Sequence, residues 1–138
     1  MLPTRLVIVD GDGPFRQKLR QLFDKRAEFC IVGEAARGTE AIEIVRTLTL
    51  DILLLDLHLE DMSGLSVLQR VGPDASFRTI LIGDIRREDA VKAILLGASG
   101  VVRKSADSGT LFKSIESVLK GEIWAKRDLL GDLLAILP

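Results

Sequence analysis

Short apolar runs alternate along the chain with segments of helical periodicity, and this alternation restricts the fold more than any other feature. Residues 6–9 (Leu-Val-Ile-Val) and 52–55 (Ile-Leu-Leu-Leu) are apolar at every position, which is typical of strands covered on both faces. Shorter apolar runs predict further strands at residues 29–32, 80–82 and 101–102. We expect residues 52–55, the most apolar run, to lie at the centre of the sheet.

Each predicted strand is followed by a segment in which apolar residues recur three or four positions apart, the spacing of one helix face. These segments begin near Pro14, Ala41, Gly64, Ala90 and Leu111. Strands and helices in strict alternation predict an α/β domain with a doubly wound, five-stranded parallel sheet and helices on both faces.

The bulk properties exclude several classes of protein. A chain of 138 residues suits one domain with its own core. The net charge of −1 gives no overall basic character for holding a nucleic acid. The apolar runs are too short to span a bilayer, and no signal peptide is apparent, so we expect a cytoplasmic protein without membrane contact. Cys30 lies in an apolar run and is expected to be buried.

Polar residues follow four of the predicted strands at the point where each strand ends. Asp10, Asp56, Asp84 and Lys104 occupy these positions. Chemistry in doubly wound folds gathers outside the carboxyl ends of the strands. We therefore expect three carboxylates and one lysine to converge on one edge of the sheet.

Clustered carboxylates repel one another, and Mg²⁺ relieves that repulsion while leaving room for phosphate oxygens. A carboxylate in such a site can attack phosphorus and form an acyl phosphate, and a lysine can pair with the transferred group. These residues therefore indicate aspartyl phosphorylation. The alternative is that the acids only cap helices and that Lys104 is a solvated loop lysine.

Two segments resemble the receiver domains of bacterial response regulators. Residues 53–64 (Leu-Leu-Leu-Asp-Leu-His-Leu-Glu-Asp-Met-Ser-Gly) are similar to the family's phosphoacceptor segment, and residues 97–104 end in a lysine as in the family. The opening residues 7–10 also fit. Lys104-Ser105 and the tail at 121–124 resemble the subgroup that is joined to a LuxR-type helix-turn-helix output domain.

The resemblance implies a flavodoxin-like sheet of strand order 2-1-3-4-5. It implies that residues 1–121 form the receiver and that residues 122–138 form a linker helix toward an output domain absent from this chain. Leu129 and three further leucines, Leu130, Leu133 and Leu134, indicate a packed or partner-facing helix. DNA would be contacted only through the missing output domain.

The resemblance also implies roles for single residues. Asp56 would be the phosphoacceptor and Lys104 would bind the phosphoryl group. Mg²⁺ would be held by Asp10, Asp56 and the backbone carbonyl of His58. Gly83 stands where the family's phosphoryl-binding and switching hydroxyl is found.

Several positions depart from the family pattern. Gly11 replaces the acid that normally contacts the metal directly, so Mg²⁺ binding is expected to be weak or lost. Asp12 on its glycine-flanked loop could substitute as a metal ligand, or could simply cap the first helix. Gly83 lacks the usual hydroxyl, Val101 replaces the usual aromatic switch residue, and Glu60 stands where proline is common.

Three functions follow from these observations. The first is a non-enzymatic receiver that takes phosphoryl from a sensor histidine kinase on Asp56 and regulates an attached transcriptional output. The second is a degenerate receiver that binds proteins, or itself through the fourth and fifth helices or the tail, without phosphorylation. The third is a haloacid-dehalogenase-type phosphatase, which residues 9–13 (Val-Asp-Gly-Asp-Gly) resemble, although Lys104 follows Asp84 and should precede it.

Overall fold

The computed structural model describes residues 2–73 and 76–136. Five strands form one parallel sheet in the order β2-β1-β3-β4-β5, which confirms the predicted fold class and strand order. The strands are β1 (Thr4–Val9), β2 (Phe29–Ala35), β3 (Ile52–Asp56), β4 (Arg78–Ile82) and β5 (Gly100–Val102).

Six helices accompany the strands in the described part of the chain. They are α1 (Gly13–Asp24), α2 (Gly38–Thr47), α3 (Gly64–Val71), α4 (Arg87–Leu95), α5 (Ser108–Leu119) and α6 (Arg127–Ile136). Pro14 lies in the first turn of α1, where its missing N–H is not needed. Asp12, Ser63 and Asp107 cap α1, α3 and α5 through their side chains.

The core consists of one apolar layer on each face of the sheet. Side chains alternate between the layers along each strand, so Leu53 and Leu55 face α2, α3 and α4, whereas Ile52 and Leu54 face α1 and α5. All five residues of β3 are buried, which confirms its central position. The sheet edge that carries the predicted site is thereby held between two packed layers.

Two expectations about the second strand were wrong. β2 does not stop at residue 32, just before Gly33, but continues to Ala35, because a register shift between Leu6 and Val7 keeps it paired with β1. Cys30 is exposed rather than buried, because β2 is the edge strand of the sheet and one of its faces is incompletely covered.

The segment after α5 is helical only from Arg127, so the helix is shorter than the predicted linker. Trp124 instead pairs with Gly100 in an isolated parallel bridge alongside β5. Leu129 is buried against α4; the side chains of Leu130, Leu133 and Leu134 lie outside the described part of the structure. Over residues 2–73 and 76–136, every helix lacks the length or the apolar character of a membrane span.

Candidate phosphoryl-acceptor site

Three of the four residues predicted at the strand ends form one charged cluster. Asp10 directly follows β1, Asp56 is the last residue of β3, and Lys104 lies just after β5. The Lys104 Nζ atom lies 3.0 Å from Asp10 Oδ2 and 3.3 Å from Asp56 Oδ2. The ammonium group therefore bridges two carboxylates that come from neighbouring strands.

The two carboxylates of this cluster are buried, and burial affects the pKa of Asp10. The side chains of Asp10 and Asp56 are 3% and 7% exposed, whereas that of Lys104 is 33% exposed. Burial is the largest influence on Asp10 and raises its pKa, and the charge of Asp56 acts in the same direction. The Asp12 N–H and Lys104 oppose this rise by stabilising the carboxylate.

Burial disfavours the charged form of Lys104, but its hydrogen bonds and attraction to Asp10 and Asp56 together outweigh that penalty and raise its pKa above the ordinary value of 10.5. The ammonium also lies 4.8 Å from the centroid of the Phe15 ring, a cation–π contact. Lys104 is therefore protonated at neutral pH and is held from three sides.

A shallow depression of about 540 Å³ opens beside Asp56 and gives room for a phosphoryl group. Its lining residues are Gly11, Asp12, Asp56, His58, Gly83, Asp84 and Lys104. The backbone N–H of His58 donates to Asp56 Oδ1 at 3.2 Å, and the N–H of Asp12 donates to Asp10 Oδ1 at 2.8 Å. Backbone donors thus orient both carboxylates.

The remaining acids lie apart from the charged cluster. Asp84 is exposed at the rim of the depression. The Asp12 side chain is exposed and accepts a hydrogen bond from the Phe15 N–H at 3.2 Å, so it caps α1 as the simpler interpretation predicted. Within residues 2–73 and 76–136, no group of three or more His, Cys, Asp or Glu side chains is placed to hold a metal ion.

The donor set suits a magnesium ion only in part. Asp10 and Asp56 supply two carboxylates, which is what Mg²⁺ typically takes from a protein when water and phosphate complete its shell. Position 11 contributes no acid, and Lys104 already occupies one oxygen of Asp56. The metal roles of Asp10, Asp12, Asp56 and the His58 carbonyl stay predictions.

Gly83 faces the acceptor but brings no side chain to it. A Cβ atom at this position would lie 3.9 Å from Asp56 Oδ1 and 3.1 Å from the Leu57 Cβ atom. The backbone has φ +150°, a conformation that residues with a side chain rarely adopt. Val101 is half-buried on the side of β5 that faces α4 and α6. The switching roles of both residues stay predictions.

Two supporting contacts were missed by the sequence analysis. Arg16 Nη1 donates to the backbone carbonyl of Asp10 at 2.6 Å and its Nε lies 3.5 Å from Glu34, which fixes the end of β1. Asp61 accepts hydrogen bonds from the N–H groups of Gly38 and Thr39, so the loop after the acceptor caps α2. The sequence offered one signal for the role of Arg16, namely that it places a positive charge in the first turn of a helix.

Residues 6–116 match the family described as the response regulator receiver domain. The chain belongs to this family. It is 29% identical over 134 residues to the transcriptional regulatory protein YdfI of Bacillus subtilis, an alignment that covers 96% of this chain and 63% of YdfI. It is 33% identical over 122 residues to the nitrate/nitrite response regulator protein NarP of Escherichia coli, covering 86% of this chain and 56% of NarP.

Among solved structures, a LuxR-family two-component response regulator from Aurantimonas sp. SI85-9A1 superposes with a TM-score of 0.84 at 30% identity, covering 96% of both chains. This chain spans somewhat less than two thirds of the length of the curated relatives named above. The family match favours the receiver interpretation over the dehalogenase-type one.

Proposed function

We propose that Asp56 of this receiver domain accepts a phosphoryl group from the phosphohistidine of a sensor histidine kinase and thereby regulates an attached transcriptional output domain. The observation that carries the proposal is the Lys104 ammonium, which bridges Asp10 and Asp56 at 3.0 and 3.3 Å. The regulatory role is supported by the names of YdfI and NarP, a transcriptional regulatory protein and a response regulator.

In the proposed step, a carboxylate oxygen of Asp56 attacks the phosphorus atom. The new O–P bond forms as the P–N bond to the kinase imidazole breaks, and the imidazole nitrogen keeps the electron pair. Lys104 then pairs with the phosphoryl oxygens as a point charge. The His58 N–H holds the Asp56 carboxylate in orientation through its bond to Oδ1.

We propose weak Mg²⁺ binding by Asp10 and Asp56, with water in place of the acid that Gly11 lacks. When bound, the cation would neutralise negative charge between the carboxylates and the phosphoryl oxygens. Asp12 could join this set only by giving up its hydrogen bond to the Phe15 N–H, which would weaken the cap of α1.

Uptake of labelled phosphoryl from acetyl phosphate tests the proposal. The wild-type chain and Asp84→Asn are expected to take up label, because Asp84 is exposed at the rim and not part of the charged cluster. Asp56→Asn is expected to take up none. Label retained by Asp56→Asn would place the acceptor elsewhere.

Gly83 supports a second candidate function, a receiver that binds proteins without being phosphorylated. Its backbone conformation and missing side chain leave no hydroxyl beside the acceptor, and Gly11 leaves no third acid. This candidate predicts no change in amide chemical shifts around Asp10, Asp56 and Lys104 when Mg²⁺ and then beryllofluoride are added. Shifts at both steps would exclude it in favour of the phosphoacceptor.

A further inference from the structure

The C-terminal segment crosses the sheet around the edge of β5. The Trp124 N–H donates to the Ser99 carbonyl at 2.9 Å, and the Val101 N–H donates to the Trp124 carbonyl at 2.9 Å. The Trp124 side chain packs with the α1/α5 layer, whereas Ala125 packs with α4. The chain therefore passes from one face of the sheet to the other within two residues.

In the described part of the structure, α6 then docks on α4 through an apolar contact and a pair of ionic contacts. Leu129 is 5% exposed and packs with Ala90 and Val91. Arg87 forms ion pairs with Asp128, at 3.3 Å, and with Asp132. The two aspartates are four residues apart on one face of the helix, so both reach the same guanidinium group.

The docked helix covers the face formed by α4 and β5, which we name the α4–β5 face. Val101 and Ile85 pack at the margin of the cluster that contains Leu129. A cavity of about 160 Å³ remains between α4, β5 and α6, and its lining includes Val101, Arg103 and Leu129. The face on which the family resemblance places a switch residue is thus covered by the chain itself.

The described contacts between α6 and α4 can break without disturbing the core of the receiver. A helix of ten residues is not stable in isolation, so α6 is helical only while it is docked. The side chains of Arg87, Asp128 and Asp132 are 52%, 62% and 40% exposed, and ion pairs at such exposure stabilise little. The two main apolar layers lie elsewhere and do not depend on Leu129.

We propose that α6 is an intramolecular latch that opens as one unit while the receiver stays folded, and that its opening uncovers the α4–β5 face. Among the described side chains, Arg87 and Leu129 hold it closed. This inference does not depend on whether Asp56 accepts phosphoryl, because the contacts of the latch are separate from the acceptor site.

Amide hydrogen exchange on the whole chain tests the latch. In the wild type, amides of α6 are expected to be protected but to exchange faster than those of β3. Leu129→Ala is expected to speed exchange in α6 by at least roughly thirtyfold, the low end for truncating a buried leucine, and to leave β3 unchanged. The control Leu119→Ala, at a position 45% exposed on α5, should leave α6 unchanged.

Two further variants test the ionic contact and the covering of the face. Arg87→Asp is expected to speed α6 exchange roughly two- to fivefold, and adding Asp132→Arg is expected to restore much of the protection. In a Cys30→Ser background, the thiol introduced by Val101→Cys should be alkylated faster when Leu129→Ala is also present.

Three outcomes would overturn the proposal. Exchange of α6 and β3 at one common rate would make α6 an integral part of the core, and unprotected α6 amides in the wild type would mean that it does not dock. An alkylation rate at position 101 that is indifferent to Leu129→Ala would mean that α6 does not cover the face.

Discussion

Lys104→Met removes the ammonium group between Asp10 and Asp56 while keeping an unbranched side chain of similar length. In the wild type, Nζ lies 3.0 Å from Asp10 Oδ2 and 3.3 Å from Asp56 Oδ2. Both carboxylates are buried. The variant therefore leaves two neighbouring negative charges without a compensating positive charge, and we expect the folded state to lose stability.

The size of the loss follows from the distances and the burial. At an effective dielectric constant of about 20, two unit charges about 3 Å apart attract by roughly 5 kcal/mol. Removing one partner of a buried pair costs about 3–5 kcal/mol. Since the Lys104 side chain is 33% exposed, solvent screens the interaction. We expect the free energy of unfolding to fall by about 2–3 kcal/mol at pH 8.

The loss should shrink as the pH is lowered. Burial already raises the pKa of Asp10 above the ordinary value of 3.8, and Lys104 opposes that rise, so the variant raises this pKa further. Between the ordinary and the raised pKa, the folded chain binds a proton that the unfolded chain does not bind. Stability of the variant therefore rises as the pH falls toward the raised pKa of Asp10, more steeply than in the wild type.

Urea unfolding followed by Trp124 fluorescence at pH 4, 5, 6, 7 and 8 measures this difference, provided that the m-values of the two chains agree. Lys18→Met, at an exposed position of α1, is the matched control and should stay near wild type throughout. A deficit of equal size at pH 4 and pH 8, or no deficit at pH 8, would refute the charge argument.

Three further substitutions test single contacts. Gly64→Ala should lower the free energy of unfolding by about 3 kcal/mol, because its Cβ would lie 2.6 Å from the Asp56 carbonyl oxygen; a near-neutral result in urea would contradict this packing. Gly83→Ser should destabilise by about 1–3 kcal/mol because of its φ of +150°, and an unchanged Tm would argue against that backbone conformation. Asp61→Ala should lower the Tm at pH 7, because the Gly38 N–H stabilises the Asp61 carboxylate and holds its pKa below 3.8. The difference in Tm between wild type and variant should close as the pH falls through that pKa. A difference in Tm that does not change with pH would exclude the cap.

The parts of the fold that could be predicted are those that depend on local pattern. Residues 6–9 of β1 and 52–55 of β3 are apolar at every position because both faces of the sheet are covered there, and this pattern is visible without a structure. The cluster of Asp10, Asp56 and Lys104 could also be predicted, because parallel strands bring their carboxyl ends to one edge. Neither conclusion requires knowledge of side-chain contacts.

The parts that could not be predicted depend on long-range pairing. Gly33 is a plausible strand end, yet β2 continues past it because β1 offers a partner in a shifted register. Residues 122–126 carry no strand pattern, and Trp124 is extended only because the edge of β5 is available for pairing. The conformation of Gly83 is likewise set by its surroundings and has no signal in the sequence.

Gly11 and Gly83, the two glycines at the acceptor site, differ in whether the side chain usual in the family would fit there. A Cβ atom at Gly11 would meet the Ala36 carbonyl oxygen at an ordinary 3.5 Å, and Gly11 is not among the glycines with positive φ. An acid therefore fits at position 11, whereas a side chain at Gly83 is strained. The effect of the missing metal ligand can therefore be tested by placing an acid at position 11, which does not require a change of fold.

Gly11→Asp should change both the Mg²⁺ affinity and the phosphoryl uptake of the acceptor site. The added carboxylate gives Mg²⁺ a third ligand, so Mg²⁺ affinity measured by amide chemical shifts should rise. Without Mg²⁺, the same carboxylate repels the incoming phosphoryl group, so uptake from acetyl phosphate should fall below wild type. Gly13→Asp adds the same charge outside the depression and should change neither measurement. Equal Mg²⁺ affinity in Gly11→Asp and wild type would show that an acid at position 11 does not contact the bound ion.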